Sequence, residues 1–128
     1  MKEFDEKKAR EELLKRAEKV KEEDISKVLD RSKDIDTKLQ NASLQKFIEQ
    51  VKLFLSLLRD YRAGKYKQIP FWSIAAIVAA LLYLLSPLDL IPDFIPGIGY
   101  IDDLAILQIC WTMVRQDLDA YKTWLSAT

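Results

Sequence analysis

Four aspartates that lie close together are the residues of this chain best suited to chemistry. They fall in the run from Tyr83 to Leu104, YLLSPLDLIPDFIPGIGYIDDL, at positions Asp89, Asp93, Asp102 and Asp103. Carboxylate oxygens without histidine or cysteine beside them are ligands that favour a hard cation such as Mg²⁺ or Ca²⁺. One prediction is therefore a cation site in this stretch, with no other cofactor.

The same stretch has a purely structural interpretation, in which its residues shape the backbone. Its motif residues are Ser86, Pro87, Pro92, Pro96, Gly97 and Gly99. Ser86 and Asp89 form a capping box, with Pro87 at its first helical position. Pro92 and Pro96 make the residues before them extended, and the two glycines allow positive φ or close backbone approach. The last two aspartates suit the cap or first turn of a following helix. Asp93 alone lacks a structural role, and both interpretations stay open.

The composition argues against an enzyme and against a nucleic-acid partner. The chain has no histidine, and its one cysteine, Cys110, sits in an apolar run, so imidazole-based triads and the usual transition-metal sites are excluded. A carboxylate pair for hydrolysis lacks other polar groups to bind a substrate. The net charge is zero, with 20 basic and 20 acidic residues. We therefore predict a protein without enzymatic activity that does not bind nucleic acid.

The composition changes near residue 40, which predicts a charged helical arm over residues 1–40 and a helical domain over residues 41–128. Residues 1–38 hold 24 of the 40 charged side chains. Apolar residues recur in the arm at Leu14, Ala17, Val28, Ile35 and Leu39. We expect one or two helices with a thin apolar seam and a break at residues 22–24, forming either a solvated arm or weak coiled coil, or a partner-binding helix. The charged N-terminus is not expected to be a secretory signal.

The next helix is predicted to begin after Ser43, a good N-cap, and to end at Gly64, where a left-handed residue is favoured. Its apolar residues follow spacings of 3, 4, 3, 4 and 3, at Leu44, Phe47, Val51, Phe54, Leu58 and Tyr61. Its end is basic, with Arg59, Arg62, Lys65 and Lys67. These cations either complement the helix dipole or anchor the protein at a membrane surface.

A third helix begins at Pro70 and is almost entirely apolar. The 21 residues from Gln68 to Leu88 contain no charge. Its helical part is about 24 Å long at 1.5 Å per residue, which is ambiguous between a buried helix and a membrane helix. Because Pro70–Leu85 has no polar face, we expect membrane lipid or a protein partner, including a second copy of the chain, to cover it.

The last helix is predicted from Ile101 or Asp102 to about Leu125. Leucine and aromatic residues form its seam, and a polar stripe follows one position later at Gln108, Thr112, Arg115, Asp119 and Lys122. This helix and the Pro70 helix are expected to form a hairpin over residues 69–125. The predicted fold class is all-α, a charged arm followed by a three-helix unit.

The run from Leu81 to Leu107 resembles the core signature of the YkvA-like family, domain of unknown function 1232. The matching pattern is S-P-x-D-L-I-P-D-F-I-P followed by glycine and D-D-L, here from Ser86 to Leu104. The resemblance implies small bacterial proteins without an assigned activity, often predicted to touch membranes. It implies a fold module and no reaction, and it extends over neither the arm nor most of the Ser43 helix.

Taken together, the sequence predicts a small membrane-associated helical protein that recruits or scaffolds partners. The basic end of the Ser43 helix and the acidic connection fit the positive-inside rule, which predicts a location on the cytoplasmic side of a membrane, or in the cytoplasm. The apolar part of the last helix, Leu104 to Val114, is too short to span a bilayer alone. The alternative is a soluble interaction module whose apolar face is covered by a partner or by self-association.

Overall fold

The computed structural model describes residues 6–40, 42–85 and 103–127, and these form an all-α fold with no strand in the described part. The elements in chain order are α1 (Glu6–Glu18), α2 (Glu22–Asp30), α3 (Ser32–Lys38), a 3₁₀ helix (Ala42–Phe47), α4 (Ile48–Arg62), α5 (Phe71–Leu85) and α6 (Asp103–Ala127). The predicted fold class is confirmed.

The arm contains three short helices, whereas one or two were predicted. The break between α1 and α2 falls before Glu22, so residues 22–24 form the first turn of α2 rather than the break itself. Acidic residues are favoured there by the helix dipole. The Asp24 carboxylate also accepts a 2.8 Å hydrogen bond from the Lys21 N–H, which satisfies a backbone donor at the helix start.

The helix predicted from Ser43 to Gly64 is split, because its first turns are 3₁₀ and α4 begins only at Ile48. Gly64 ends it as predicted, with φ of +81°. The Lys65 N–H donates to the Asp60 carbonyl at 2.9 Å and the Gly64 N–H to the Tyr61 carbonyl at 3.1 Å. These two bonds are those of a Schellman motif, in which the left-handed glycine turns the chain out of the helix.

Side-chain contacts fix the directions of the last three helices. Ser73 bonds Asp117, and the Cys110 thiol contacts the Ala76 carbonyl at 3.5 Å, so α5 and α6 run antiparallel as the predicted hairpin requires. Phe54 packs on Trp111 with ring centres 5.8 Å apart. Because Asp60, further along α4, contacts Tyr121 further along α6, these two helices run in parallel.

The chain itself covers its apolar helix. Eleven of the 15 residues of α5 are buried, and α1, α2, α3 and α6 all pack against it. Other helices of the described part therefore cover most of α5, and a lipid or protein partner on Pro70–Leu85 stays a prediction. The charged arm supplies the cover, because a helix with a narrow apolar seam is sufficient to bury one side of a helix rich in alanine.

The buried seam of α1 contains Leu13, whereas the sequence predicted Leu14. Ala9 and Leu13 are each 1% exposed and Ala17 is half-buried, whereas Leu14 is 39% exposed. This seam of residues four apart faces α5 and α6. The division into residues 1–40 and 41–128 stays a prediction, and side chains from both parts contribute to one hydrophobic core.

Candidate functional site

The aspartate and proline motif predicted from the sequence lies almost wholly outside the described residues. This holds for Asp89, Asp93 and Asp102, and for the motif residues Ser86, Pro87, Pro92, Pro96, Gly97 and Gly99. Asp103 is the first residue of α6, in agreement with its predicted place in the cap or first turn. The cation site therefore stays a prediction. Within the described ranges, no three acidic or cysteine side chains are grouped so as to hold a metal ion.

One end of the bundle combines aromatic packing, internal hydrogen bonds and exposed cations. The Schellman motif at Gly64 turns the chain so that Tyr66 packs against the C-terminal half of α6. The Tyr66 ring lies 5.1 Å from the ring of Tyr121 and 5.0 Å from that of Trp124. The loop from α4 to α5 is thereby held against α6, which brings the end of α4, the start of α5 and the end of α6 together.

Two acidic side chains at this end are engaged inside the bundle. The Tyr121 hydroxyl donates to the Asp60 carboxylate at 2.6 Å and lies 2.6 Å from the Ser56 hydroxyl. The buried Ser73 hydroxyl donates to Asp117. Both carboxylates are half-buried, so neither is freely presented to solvent.

The tyrosines at this end are held in their neutral form. Burial, followed by the hydrogen bond to Asp60, raises the pKa of Tyr121 to about 12. Burial and the nearby charge of Asp117 raise the pKa of Tyr66, and burial and Glu22 raise the pKa of Tyr61. In each case burial removes water from the phenol, and a nearby carboxylate further disfavours its ionised form.

The cations at the same end point outward. Arg59, Arg62, Lys65 and Lys67 are all exposed, and none forms an ion pair with a described carboxylate. The Arg62 guanidinium donates to the Ser26 hydroxyl at 3.2 Å, and the Lys67 ammonium lies 4.1 Å from the centre of the Tyr61 ring. These contacts place the cations without neutralising them.

Trp72 follows these cations in the chain and lies in the first turn of α5. It is 48% exposed, more than any other large hydrophobic side chain in the described ranges. We call the surface formed by Arg59, Arg62, Lys65, Lys67 and Trp72 the basic–tryptophan end. The sequence singled out the basic run as a possible membrane anchor. The inward hydrogen bonds of Asp60 and Asp117 carry no sequence signal, because their partners lie on other helices.

The helices of the described part are too short or too polar to cross a bilayer, since none meets both requirements of a membrane span. The apolar helix α5 has only 15 residues, and the longest helix, α6, carries charged residues along its length.

Comparisons with known proteins identify relatives without an assigned reaction. A family model described as "Protein of unknown function (DUF1232)" matches residues 73–109, which extend from α5 into α6. The "Uncharacterized membrane protein YkvA" of Bacillus subtilis (strain 168) is 38% identical over 86 residues, covering 67% of this chain and 81% of that protein. No solved structure matches the chain.

Proposed function

We propose that this chain, which belongs to the YkvA-like family of DUF1232 proteins, is a non-enzymatic protein that associates with a membrane surface through its basic–tryptophan end. The observation that carries the proposal is the exposure of Trp72, five residues after a run of four exposed cations that form no ion pair with a described carboxylate. Tryptophan beside lysine and arginine is the composition that proteins use at the headgroup level of a bilayer.

The electrostatics at this end favour an anionic surface. Asp60 and Asp117 accept hydrogen bonds from Tyr121 and Ser73 inside the bundle, so the outward charge is carried by the cations. Each lysine or arginine held near an anionic membrane contributes about 1 kcal/mol to binding at low to moderate salt. The half-exposed Trp72 ring adds apolar area that leaves water on contact.

In this proposal the bundle meets the membrane while folded, with α5 kept inside. Uncovering α5 would expose side chains such as Ile74, Ile77 and Leu81, each now completely buried. Each costs about 1.5–3 kcal/mol to return to water. Surface contact through the end of the bundle avoids this cost, whereas insertion of the hairpin would first have to remove α1 from α5.

The location that follows is the cytoplasmic side of a membrane. The basic residues at the contacting end fit the positive-inside rule. The Bacillus subtilis relative is named a membrane protein. The predicted recruitment of partners by the arm is compatible with this orientation. Because the apolar seam of α1 is committed to α5 and α6, a partner would contact the charged outer faces of the arm.

Vesicle co-sedimentation tests the proposal. The parent chain is expected to sediment with vesicles of phosphatidylglycerol, and much less with vesicles of phosphatidylcholine. A Lys65→Gln, Lys67→Gln double variant should bind the anionic vesicles about tenfold or more weakly, since two cations contribute about 1 kcal/mol each. Trp72→Ala should also weaken binding, by roughly fivefold, through the lost apolar area.

Matched controls separate a specific surface from general charge or hydrophobicity. Lys52 is an exposed lysine on α4 outside this end, and Leu14 is an exposed apolar residue on α1. Lys52→Gln and Leu14→Ala should each leave vesicle binding within about twofold of the parent. Equal loss in the control and test variants would refute the assignment of this surface.

The soluble interaction module is the alternative function, and the exposed apolar residues favour it as much as they favour lipid. Trp72 and Leu125 lie exposed at neighbouring helix ends, where a second protein surface would also bury them. Sedimentation velocity of the parent and of Trp72→Ala distinguishes this alternative. Self-association that depends on Trp72, without vesicle binding, would favour the module over the membrane surface.

A further inference from the structure

A polar cleft lies between the start of α4 and α6, and its lining shares no residue with the basic–tryptophan end. It has a volume of about 460 Å³, within the usual size range of small-ligand sites. Its lining residues are Lys46, Phe47, Gln50, Gln108, Trp111, Thr112 and Arg115. The three polar residues from α6 belong to the stripe that the sequence shows beside the apolar seam, so the stripe lines a cavity along part of its length.

The charge of the lining is positive. Lys46 and Arg115 approach the cleft from different helices, and none of the described residues that line it is acidic. Neither cation forms an ion pair with a described carboxylate. Lys122 adds a third cation nearby, with its ammonium 5.6 Å from the centre of the Trp111 ring. The cleft is therefore electrostatically suited to an anion, and a guanidinium opposite an ammonium suits the oxygens of a phosphate group.

Gln50 supplies a second and independent indication of a ligand. Its Oε1 atom is buried and has no hydrogen-bond partner among the described residues. A buried acceptor without a partner costs about 1–3 kcal/mol, and such atoms are rare in folded proteins. This oxygen is closed to solvent in the present conformation, although the residue lines the cleft; rotation of the Gln50 amide toward the cleft would let a ligand hydroxyl donate to it and remove the cost.

Aromatic rings close one side of the cleft. Trp111 and Phe47 both line it, and the Lys46 ammonium lies 5.9 Å from the centre of the Phe47 ring. Apolar walls lower the local dielectric and strengthen the attraction between the cations and an anion. Trp111 also provides a fluorescent reporter at the site.

From these three features we infer that the cleft binds a phosphate ester that carries a hydroxyl group. The phosphate lies between Lys46 and Arg115, and the hydroxyl donates to Gln50 Oε1 once the Gln50 amide has rotated toward the cleft. A glycerol phosphate unit has this chemistry, and it is present both in soluble glycerol 3-phosphate and in the headgroup of phosphatidylglycerol. The inference is independent of the proposed membrane surface, because it uses a different set of residues.

Titration of Trp111 fluorescence tests the inference and distinguishes the two sources. The chain used has Trp72→Phe and Trp124→Phe, so that Trp111 is the one tryptophan left. The probes are glycerol 3-phosphate, inorganic phosphate, and vesicles of phosphatidylglycerol or phosphatidylcholine. A saturable change with glycerol 3-phosphate that is stronger than with inorganic phosphate identifies a soluble ligand. A change with phosphatidylglycerol vesicles alone identifies the lipid headgroup.

Three variants and one control decide the outcome in the same background. Arg115→Gln and Lys46→Gln should each weaken binding by about tenfold or more, as expected for a lost charge-assisted hydrogen bond. Gln50→Leu should remove the preference for glycerol 3-phosphate over inorganic phosphate, or for phosphatidylglycerol if the lipid is the ligand. Lys52→Gln, which removes an equal charge from α4 outside the cleft, should change binding less than twofold.

The inference is overturned if no probe changes the fluorescence of Trp111, or if Arg115→Gln and Lys46→Gln behave like Lys52→Gln. Arg115 and Lys46 are exposed, so their variants are expected to fold, and a thermal unfolding curve for each confirms it. Failure of this test leaves vesicle co-sedimentation through Lys65 and Lys67 unaffected. Conversely, loss of the membrane surface leaves binding of soluble glycerol 3-phosphate unaffected.

Discussion

The Tyr121 hydroxyl donates to the Asp60 carboxylate across 2.6 Å, and this bond joins the last turn of α4 to α6. The Ser56 hydroxyl completes the arrangement at 2.6 Å from the same phenol oxygen. Asp60 is engaged with Tyr121 and forms no ion pair with the neighbouring Arg59 or Arg62, both of which are exposed at the basic–tryptophan end.

Tyr121→Phe is expected to destabilise the fold. It removes the donor to a half-buried carboxylate, and a lost hydrogen bond to a charged group costs about 1.5–3 kcal/mol. Urea unfolding followed by circular dichroism measures the change. Tyr66→Phe is the matched control, because Tyr66 is a buried tyrosine of the same cluster whose hydroxyl forms no hydrogen bond with a described residue; it should cost less than about 0.5 kcal/mol.

Stability is expected to fall as the pH rises above about 10. The pKa of Tyr121 is about 12 in the folded chain and 10.0 when unperturbed, so between these values the folded state holds a proton that the unfolded state has lost. The free energy of unfolding therefore decreases with pH in this window and is unaffected by this group below it. Urea titrations at pH 8, 10 and 11 should show a smaller decrease for Tyr121→Phe than for the parent. Equal decreases in the free energy of unfolding of the parent and of Tyr121→Phe would show that Tyr121 is not the group responsible.

The helices of the last 80 residues were largely predictable, because their signals are local. Apolar residues spaced 3 and 4 apart predict the helices α4 and α6. Gly64 predicts the end of α4, and its φ of +81° agrees with that role. The first residue of α4 was not predicted correctly, because a 3₁₀ helix precedes Ile48 where an α-helix was expected after Ser43. Turns of this kind are decided by packing, which local propensity does not encode.

The packing of the charged arm on α5 could not be predicted from local sequence patterns. The arm is so charged that its apolar seam is narrow, and Leu13 and Leu14 are equally apolar in sequence although only Leu13 faces the core. Which of two adjacent leucines is buried depends on where the arm lies, a tertiary relationship. The cleft was missed for a similar reason, since Gln50 and Arg115 are 65 positions apart and ordinary surface residues when considered separately.

Leu13→Ala tests the packing of the arm on α5. Leu13 is 1% exposed, and truncating a buried leucine costs about 2–5 kcal/mol. Leu14→Ala, a change of the same chemistry one residue away, should cost about 0.5 kcal/mol or less because Leu14 is 39% exposed. Chemical unfolding of both variants gives the comparison. Similar losses would mean that the arm does not lie on α5 in this register.

Gly64→Ala tests the turn that places Tyr66 against α6. An added Cβ would have no atom within 4 Å, so the cost is confined to the backbone, at about 1 kcal/mol for a left-handed conformation. The melting temperature should therefore fall. An increase would contradict the turn, because a glycine with ordinary φ becomes more stable when replaced by alanine, through the lower entropy of the unfolded chain.

The central claim is that the folded bundle meets the membrane through Trp72. The most direct measurement is the fluorescence of a chain in which Trp72 is the one tryptophan, with Trp111→Phe and Trp124→Phe, mixed with phosphatidylglycerol vesicles that carry a quencher at the headgroup or deep in the acyl region. We predict a blue shift and strong quenching by the headgroup label, with unchanged far-ultraviolet circular dichroism. Emission that stays unshifted and unquenched by either label, while the chain remains folded, would contradict the claim.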